Sequence, residues 1–412
     1  MNKGIIAYYT RRAPLCYNRH MRVLLVSHEL SVTGAPNSLL RQAGYFRSAG
    51  YAVDVWSLAD GPLRARYEEA GFPPELVEND RRAIQSRYEA NPVRYDLVVC
   101  NTTKSYRAVD VLMRYGLKVV WFIRETKLVD EDFWLDSDFA RLFSNFYNLY
   151  TVSEYAADVI RYYNPNVRVI HNALADTFEG FVPPASHVRF GFIGSLIEVK
   201  GIGLLLEAFR RVSGEFPGVT LTVAGGRPAE DLARLRTESA ACPSVRFLGT
   251  VQGDEKRRFF DSIDVLCVPS LDEPSGLTVI EGAMLGKPII TTDRTGANYL
   301  VSPDSGRIVR AGDVGSLAKA MREFADMDEQ RLRACCERSR EQYLRHGTPE
   351  TERTAVLKMV DESEPAPPAR DRLRYDDVTP WFHESHFADG TRRWYFRNMR
   401  LITLPGRGPR KR

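Results

Sequence analysis

The sequence predicts an α/β protein with two doubly wound, Rossmann-like domains that face each other across a cleft. From residue 22 onward, short β-branched strands alternate with amphipathic helices. The strands are continuously apolar, which is typical of a parallel sheet covered by helices on both faces. The alternation stops at Phe181–His187 and starts again at residue 189. At 412 residues the chain is also too long for one hydrophobic core, so two domains are expected.

The predicted strands fall into two successive sets. The first set is Arg22–Ser27, Ala52–Leu58, Asp96–Asn101, Lys118–Ile123, Leu149–Val152 and Arg168–His171. The second set is Arg189–Gly194, Val219–Ala224, Val245–Leu248, Val265–Pro269, Pro288–Thr292 and Arg307–Val309. Helices are expected between the strands, among others at Asn37–Ala49, Ser105–Tyr115, Ser153–Tyr163, 202–213, 229–240, 253–261, 277–285, 313–325 and 329–343.

The breaks in this pattern predict four segments of the chain. They are an N-terminal extension at 1–21, a first domain at 22–183, a second domain at 184–350 and a C-terminal extension at 351–412. Within the last segment, residues 361–370 are rich in Pro, Ala and charge, as linkers are. The aromatic and His-rich stretch Tyr375–Tyr395 either folds back onto the first domain or serves as a partner surface.

The composition argues against several classes of protein. The chain has 57 basic and 53 acidic residues, a net charge of only +4, so we expect no nucleic-acid partner. No apolar run reaches the length of a transmembrane helix. The first residues lack the long apolar region of a secretory signal. The six cysteines form no C-x-x-C pair, which favours a reduced, cytoplasmic protein.

The chain ends in a basic tail, Arg397–Arg412, with six Arg or Lys residues and no acid. Such a tail is typical of a solvated chain end. The alternative is an anionic surface, above all the inner face of a membrane, to which the protein would bind peripherally.

The most informative motif is the stretch Glu273–Glu281, in which two carboxylates are separated by a Pro-Ser-Gly loop and the start of an apolar helix. It follows the predicted strand Val265–Pro269, and open α/β sheets bind ligands at the carboxyl ends of their strands. Gly276 lets backbone N–H groups approach a phosphate, and a helix N-terminus adds positive potential. Glu281 lies about two helical turns further on and can point to the same cleft. The motif therefore predicts a phosphate and sugar site.

Three more strand exits of the second domain border the same edge. Gly194 permits a tight exit, and Lys200 at the following helix start can reach a diphosphate, although such junctions are common. The Gly225–Arg227 turn is either a plain glycine turn or a loop with Arg227 near phosphate or base. Thr250 and Val251 belong either to an ordinary βα loop or to a backbone contact with a nucleobase.

In the first domain, the loop after the first strand is long and enters a helix at Gly34 and Ala35, whose amides can meet a phosphate or a sugar. Arg124 and Glu125 end another strand and form either a local ion pair or a wall of the reaction site. His171 is expected to be structural at the floor between the domains. His383 and His386 have a metal-like spacing, but no acidic or Cys cluster accompanies them, so we predict no metal site.

In this order and spacing, the motifs resemble those of the retaining, nucleotide-sugar-dependent glycosyltransferases of family 4, which have the GT-B fold. The resemblance covers about residues 22 to 345. It rests on the Glu-x7-Glu signature Glu273–Glu281, continuing to Ile290, on Gly194 with Lys200 and Gly201, and on Gly34 with Ala35.

The resemblance implies roles for these residues. A UDP- or GDP-sugar would lie mainly on the second, donor domain, with Lys200 and the amides of Ser275, Gly276, Leu277 and Thr278 at its diphosphate. Glu281 would accept hydrogen bonds from the ribose, and Glu273 would bind the transferred sugar. Gly34 and Ala35 would border the phosphates or the acceptor from the first, acceptor domain. No metal or other cofactor is implied, because cationic side chains and helix dipoles neutralise the leaving diphosphate.

Two positions depart from the family pattern. Ser195 stands where the family usually has an Arg beside the diphosphate, so Arg227 or Arg294 would have to replace that contact. Arg124 stands where the family often has a His that contacts the donor sugar. Arg does not act as a base at neutral pH. In the same-face reaction ascribed to the family, the leaving phosphate takes the acceptor's proton. Arg124 is therefore free to stabilise phosphate or to bind an anionic sugar or acceptor.

The expected function is that of a retaining hexosyltransferase that moves a sugar from a UDP- or GDP-sugar to a glycan, a lipid-linked acceptor or another hydroxyl, as in polysaccharide biosynthesis. Glu273, Arg124 and Lys200 are the predicted catalytic residues. Two alternatives stay open: a non-catalytic nucleotide-sugar-binding scaffold of the same fold, and a sugar-nucleotide epimerase.

Overall fold

The protein folds into two parallel α/β units and a small antiparallel sheet. In the computed structural model, residues 21–226, 242–365, 382–386, 392–396 and 399–404 are described. The predicted N-terminal extension, the predicted helix 229–240, Arg227 and most of the basic tail lie outside these residues.

The first sheet has the strand order β3-β2-β1-β4-β5-β6-β7, and all its neighbouring strands are parallel. Its strands are β1 (Arg22–Ser27), β2 (Ala52–Ser57), β3 (Glu75–Leu76), β4 (Leu97–Asn101), β5 (Val119–Ile123), β6 (Leu149–Thr151) and β7 (Val167–Val169). All six strands predicted for this half are present, and the two-residue edge strand β3 is an addition.

The second sheet repeats the arrangement in the order β10-β9-β8-β11-β12-β13, again with parallel neighbours. Its strands are β8 (Arg189–Ile193), β9 (Thr220–Ala224), β10 (Val245–Gly249), β11 (Val265–Val268), β12 (Ile289–Thr292) and β13 (Gly306–Val309). The predicted fold class, two doubly wound Rossmann-like domains, is confirmed. The exact domain limits stay predictions.

Helices cover both sheets. They are α1 (Gly34–Ser48), α2 (Arg64–Glu69), α3 (Arg81–Ala90), α4 (Tyr106–Met113), α5 (Lys127–Leu135), α6 (Ser137–Ser144), α7 (Glu154–Arg161), α8 (Ile202–Glu215), α9 (Gly253–Asp261), α10 (Leu277–Met284), α11 (Val314–Ala325), α12 (Glu329–His346) and α13 (Pro349–Glu362). Side-chain caps fix several starts. Asp313 accepts hydrogen bonds from the N–H groups of Gly315 (2.8 Å) and Ser316 (3.1 Å). None of the helices in the described part of the chain is long and apolar enough to span a bilayer.

The strand order of each sheet reverses direction at one point, and the two points face each other. In the first sheet β1 lies between β2 and β4, and in the second β8 lies between β9 and β11. Ligands of open α/β sheets bind in the crevice outside such a reversal. The loops after β1, β4 and β5 of the first sheet and the loop after β11 of the second supply most of the residues that line the cavity at this crevice.

The last helix, α13, returns to the first domain. Its apolar residues Val356, Leu357, Met359 and Val360 are buried in a cluster with the residues of α1, β1 and β2. Glu352 on the same helix is 2% exposed. Part of the predicted C-terminal extension is thus an integral layer of the first domain.

The third sheet also packs on the first domain. It consists of β14 (Phe382–His386), β15 (Arg392–Phe396) and β16 (Met399–Leu404), paired antiparallel. The ring of His383 stacks on Trp134 at a centroid distance of 3.8 Å, and the Tyr395 hydroxyl donates to Asp130 Oδ2 at 3.1 Å. The described parts of the aromatic stretch, 382–386 and 392–395, fold back onto the first domain, which was one of the two placements left open.

Candidate functional site

A cavity of about 430 Å³ lies between the carboxyl edges of the two sheets. The first domain supplies His28, Thr33, Gly34, Ala35, Thr102, Arg124, Glu125, Val152 and Asn172, and the second supplies Glu273, Pro274, Ser275, Leu277 and Thr278. Seven of the predicted site residues therefore line one space. They are Gly34, Ala35, Arg124, Glu273, Ser275, Leu277 and Thr278.

The loop that begins at Glu273 is held in place from both ends. The Glu273 backbone N–H donates to the carbonyl of Arg294 at 3.0 Å, and its carbonyl accepts from the N–H of Gly296 at 2.8 Å. Gly276 then takes a left-handed conformation (φ 78°) as the N-cap of α10. Its N–H donates to Glu273 Oε1 at 3.2 Å. Leu277 and Thr278 in the first turn of α10 line the cavity, so the N-terminus of this helix, which favours an anion, borders it.

Lys200 is brought to this loop by a close contact between strand exits. Gly201 has φ 73°, and a Cβ atom there would lie 2.0 Å from the carbonyl oxygen of Pro269. Only glycine fits this position, and the preceding 3-10 turn therefore lies against the end of β11. The Lys200 ammonium forms an ion pair with Glu273 Oε2. The predicted phosphate-binding cation and the predicted sugar-binding carboxylate are thus direct partners in this structure.

Glu281 lies on α10 and forms an ion pair with Lys256 of α9. Lys256 was not among the predicted site residues, because it lies inside a helix rather than at a strand exit. The pair gives the second carboxylate of the motif its own cation. Glu281 and Lys256 do not line the cavity itself.

The remaining predicted residues of the second domain that the structure describes lie at the ends of β8, β9 and β10 or in the loops that follow them. Gly225 has φ 153°, and a Cβ atom there would lie 1.8 Å from the carbonyl oxygen of Gly194, so these two strand exits touch. Gly194 itself has room for a side chain, since the atom nearest to an added Cβ lies 3.7 Å away. Thr250 lies beside Gly226. Ser195 is exposed. Ser195, Gly194, Gly225, Thr250 and Val251 lie outside the lining of the cavity.

On the first-domain side, α1 begins at Gly34, so its first amides face the cavity. A Cβ atom on Gly34 would lie 3.5 Å from Leu277 Cδ1 of the second domain, so the two helix starts are nearly in contact. Asn101 at the end of β4 donates from Nδ2 to the carbonyl of Ala35 at 3.0 Å and thereby fixes the loop.

Arg124 lies at the end of β5 and is hydrogen-bonded to two amide side chains. Its Nε donates to Asn101 Oδ1, and its Nη1 donates to Asn172 Oδ1 at 3.2 Å. Its guanidinium carbon lies 4.4 Å from the centre of the Phe122 ring. Desolvation lowers the pKa of Arg124 to about 10, which leaves it protonated at neutral pH. The predicted local ion pair with Glu125 is not what the side chains form, because Glu125 accepts the backbone N–H of Arg124 at 2.9 Å.

Three neighbours of Arg124 carry unusual electrostatics or geometry. Desolvation raises the pKa of Glu125 to about 7, against hydrogen bonds from the backbone that lower it. Desolvation also lowers the pKa of His28, so that its imidazole is neutral at pH 7. Thr102 has φ 74° and ψ 164°, a conformation that costs a β-branched residue free energy.

The seam between the domains passes along the same loop. Asn172 Nδ2 donates to the Ser275 hydroxyl at 2.6 Å, and the Ser153 hydroxyl donates to the carbonyl of Pro274 at 2.6 Å. Asp272 accepts hydrogen bonds from the hydroxyls of Thr126 (2.7 Å) and Tyr155 (2.8 Å).

His171, expected to be structural, packs against an aromatic ring, and its buried Nε2 has no hydrogen-bond partner among the described residues. Its ring stacks on Tyr299 at a centroid distance of 3.8 Å and an angle of 9°. Among the described residues, no group of three or more His, Cys, Asp or Glu side chains could hold a metal ion.

Four residues that matter for the site escaped the sequence reading: Asn101, Asn172, Lys256 and Asp272. Three of them stand at strand ends or beside a recognised residue, since Asn101 ends β4, Asn172 follows His171 and Asp272 precedes Glu273. The rule that strand ends build the site would have found these three. Lys256 gave no such signal.

Two family models match the chain. Residues 19–137 match the model described as Glycosyl-transferase family 4, and residues 187–326 match the one described as Glycosyl transferases group 1. The two matches fall on the first and the second domain.

Curated relatives match part of the chain. The lipopolysaccharide core biosynthesis glycosyltransferase LpsE of Rhizobium meliloti is 30% identical over 143 residues, which are 34% of this chain and 40% of the relative. The D-rhamnosyltransferase WbpZ of Pseudomonas aeruginosa is 30% identical over 183 residues, 40% of this chain and 46% of the relative. The alignments thus span less than half the length of these relatives.

Solved structures share the architecture. The Anabaena protein Alr3699/HepE in complex with UDP and glucose matches with a TM-score of 0.67 at 18% identity, covering 83% of this chain and 100% of that one. WaaG, a glycosyltransferase involved in lipopolysaccharide biosynthesis, matches with a TM-score of 0.62 at 15% identity, covering 82% and 99%. At these identities the likeness establishes the fold. Together with the family models on both domains, it establishes that the chain belongs to the family 4-like glycosyltransferases with the GT-B fold.

Proposed function

We propose that the protein is a retaining hexosyltransferase that transfers a sugar from a UDP- or GDP-sugar to a hydroxyl of a glycan, a lipid-linked acceptor or another acceptor. The observation that carries the proposal is the cavity in which the Glu273 loop and the start of α10 face the start of α1. Both helix starts offer free backbone amides to an anion, and Lys200 stands beside them.

In this proposal the diphosphate binds to the amides at Gly276–Thr278 and to Lys200. Lys200 must then exchange its ion pair with Glu273 for contacts with phosphate, which frees the Glu273 carboxylate to accept hydrogen bonds from the hydroxyls of the sugar. Glu281, held by Lys256, accepts hydrogen bonds from the ribose. Ligand binding and the release of Glu273 are therefore one event.

The proposed reaction is a same-face displacement. The acceptor oxygen attacks the anomeric carbon from the side on which the diphosphate leaves, the bond from that carbon to the phosphate oxygen breaks, and the acceptor's proton passes to the leaving phosphate. Lys200 and the amides stabilise the charge that develops on the diphosphate. We propose that no metal ion takes part, since these groups supply the positive potential, so a chelator should leave the rate unchanged.

The comparisons support the class of donor. The Anabaena protein Alr3699/HepE is described in complex with UDP-glucose, and it shares the fold over its whole length. The curated relatives include a rhamnosyltransferase and a phosphatidyl-myo-inositol mannosyltransferase, both of which transfer hexoses.

Calorimetric titration with UDP and with GDP, followed by transfer and hydrolysis assays with a panel of sugars on the preferred base, tests the proposal. We expect one of the two nucleotides to bind, and Lys200→Ala and Glu281→Ala to weaken it by about 2 kcal/mol each, the value of a charge-assisted hydrogen bond. Lys319→Ala and Glu337→Ala remove exposed charges elsewhere in the second domain and serve as matched controls.

Failure of both nucleotides to bind would contradict the proposed function. Equal binding by the parent and the Lys200 and Glu281 variants would instead show that the site is misassigned. Product analysis without an acceptor separates a transferase from an epimerase, because an epimerase converts the donor alone.

We further propose that the protein is cytoplasmic and binds the inner membrane face peripherally through Arg397–Arg412, since a run of basic residues is attracted to anionic lipid. Sedimentation with phosphatidylglycerol vesicles at low and high salt should show binding that salt weakens. Unchanged binding after removal of residues 405–412, which hold four of the six basic residues, would contradict a role for this end of the tail.

A further inference from the structure

Arg124 is a cation on the cavity wall that no carboxylate neutralises directly. In the described part of the chain it has no ion-pair partner within 4 Å, and its hydrogen bonds from Nε and Nη1 go to the neutral amides of Asn101 and Asn172. Its Nη2 atom is buried and has no hydrogen-bond partner among the described residues. Burial of a guanidinium N–H group without a hydrogen-bond acceptor costs free energy, unless a ligand supplies the acceptor.

The two nearest carboxylates are already engaged. Glu352 accepts from Arg41 Nε (3.2 Å), from the Tyr45 hydroxyl (3.0 Å) and from the backbone N–H of Ala173 (3.2 Å). Glu125 accepts from the backbone N–H groups of Arg124 and Thr103. Neither carboxylate is placed to pair with the guanidinium.

The groups around Arg124 are suited to a polar, hydroxyl-rich ligand. His28 Nδ1 and Thr102 Oγ1 are buried polar atoms without partners in the described residues, and both side chains belong to residues that line the same cavity. The first-domain wall of the cavity thus has one cation, Arg124, one carboxylate, Glu125, which is hydrogen-bonded to backbone N–H groups, and several neutral hydrogen-bonding groups.

The position of Arg124 links it to the donor loop. Its Nη1 shares Asn172 with Ser275, since Asn172 Oδ1 accepts from Arg124 and Asn172 Nδ2 donates to Ser275. A ligand group bound to Arg124 would therefore be connected, through the two hydrogen bonds of Asn172, to the loop that would hold the nucleotide sugar. Lys200 belongs to the second domain, is paired with Glu273 of that loop, and is the cation proposed above for the diphosphate.

We propose that Arg124 binds the carboxylate of an anionic sugar, so that the substrate class of this site includes a hexuronic acid, carried either by the donor or by the acceptor. One unpaired positive charge matches one monoanion, and a guanidinium binds a carboxylate with geometric specificity. This inference rests on the proposed function, because it identifies a substrate of the same site.

The first arm of the test compares donors. Calorimetry measures the dissociation constants of UDP, UDP-glucose and UDP-glucuronate for the parent protein and for Arg124→Gln, Arg124→Lys and the exposed control Arg161→Gln. If the donor carries the carboxylate, the parent and the control bind UDP-glucuronate at least tenfold more tightly than UDP-glucose. Arg124→Gln then loses this preference, and Arg124→Lys keeps part of it. If GDP is the preferred base, the same arm uses GDP, GDP-mannose and GDP-mannuronate.

The second arm compares acceptors. With the nucleotide diphosphate saturating, methyl glucuronide and methyl glucoside are titrated against the same variants. If the acceptor carries the carboxylate, the preference for the glucuronide appears here and disappears in Arg124→Gln. The preference of the parent protein is itself a readout, so the test holds even where Arg124→Gln does not fold.

The inference is overturned if the parent shows no preference for the acidic sugar in either arm. It is also overturned if Arg124→Gln weakens UDP alone as much as UDP-glucuronate, which would assign Arg124 to the diphosphate. In both cases nucleotide binding by the parent leaves the proposed function standing. Failure of both UDP and GDP to bind would overturn the two together.

Discussion

At the scale of single residues, the backbone of Thr102 is under strain at the edge of the cavity. Its positive φ is the one such value outside glycine in the described ranges of the chain. The strained turn is held from outside, because its carbonyl accepts hydrogen bonds from Trp121 Nε1 (2.8 Å) and from the Ser105 hydroxyl (2.8 Å). Strain retained beside a cavity is typical of functional sites.

Two substitutions of Thr102 measure the free-energy cost of its backbone conformation separately from the role of its side chain. Thr102→Gly should be more stable than Thr102→Ala by about 1 kcal/mol, because only glycine adopts this conformation without a steric penalty. Chemical denaturation of the two variants measures the difference. Both variants lack the hydroxyl, so equal stability of the two would contradict the strain.

Glu125 makes stability depend on pH. Its pKa rises from an ordinary value near 4.5 to about 7 on folding, mainly through desolvation. An acid with a raised pKa binds more protons in the folded than in the unfolded state between these values. Its contribution therefore falls as the pH rises from about 4.5 to about 7, by at most about 3 kcal/mol.

Glu125→Gln should remove this dependence, since the amide keeps an oxygen for the N–H groups of Arg124 and Thr103 but does not ionise. Relative to the parent, the variant should gain stability between pH 5 and pH 8. Denaturant unfolding of both proteins at pH 5 and at pH 8 measures how the difference between their free energies of unfolding changes with pH. A constant gap between the two proteins would contradict the shift.

At the scale of elements, the loop that enters α10 depends on a glycine. Gly276 has φ 78°, and an added Cβ atom would lie 3.0 Å from Thr295 Cγ2 and 3.1 Å from Ala297 Cβ. A side chain there must pay the left-handed penalty and also push the neighbouring loop away. The amides that the site uses would move with it.

Gly276→Ala should lose about 1–2 kcal/mol of stability and should also bind the nucleotide more weakly. Gly203→Ala is a matched control, because this helical glycine of α8 has no atom within 4 Å of an added Cβ. The control should be neutral or more stable by up to about 1 kcal/mol. Thermal unfolding and calorimetry measure both effects, and equal behaviour of the two variants would show that the loop geometry is not limiting.

The sequence predicted the sheets well because parallel strands are read from continuous apolar runs. The helices named from the sequence do not include α5 and α6, which lie between Ile123 and Leu149. The two helices meet at Asp136, which ends the first and accepts from the N–H groups of Asp138 (3.0 Å) and Phe139 (3.1 Å) at the start of the second. Asp136 is both the C-cap of α5 and the N-cap of α6, so no loop separates the two helices in the sequence.

The sequence predicted the site residues that occupy recognisable positions in motifs. It did not predict the contacts that these side chains make with each other. Glu273, Gly34 and Arg124 stand at recognisable strand exits, and they line the cavity. The pairing of Lys200 with Glu273 and of Lys256 with Glu281 depends on side chains brought together from distant parts of the chain. No local pattern encodes such pairs.

At the scale of the whole molecule, the chain crosses between the domains more than once. It builds the first sheet, then the second, and returns through α13 to the first domain. The buried face of α13 and its Glu352 contacts fix the far side of α1, the helix whose start faces the cavity. The stability of the first domain should therefore depend on residues of α13, which follow the second domain in the sequence.

Met359→Ala tests this dependence. Met359 is fully buried in the first-domain cluster, so its truncation should cost about 2–4 kcal/mol. Lys358→Ala, on the exposed face of the same helix, is the control and should change stability by less than about 0.5 kcal/mol. Differential scanning calorimetry should show an earlier transition for the first variant alone. Coincident transitions would mean that α13 is not part of the first domain's core.

The central claim is that a nucleotide diphosphate binds in the cavity between the two helix starts and replaces Glu273 as the ionic partner of Lys200. A crystal structure of the protein with UDP or GDP, whichever binds more tightly, tests it most directly. We expect diphosphate oxygens within hydrogen-bond distance of Lys200 and of the amides at Gly276–Thr278, with the Lys200 to Glu273 ion pair broken. A nucleotide bound elsewhere, or an intact ion pair beside the bound nucleotide, would contradict it.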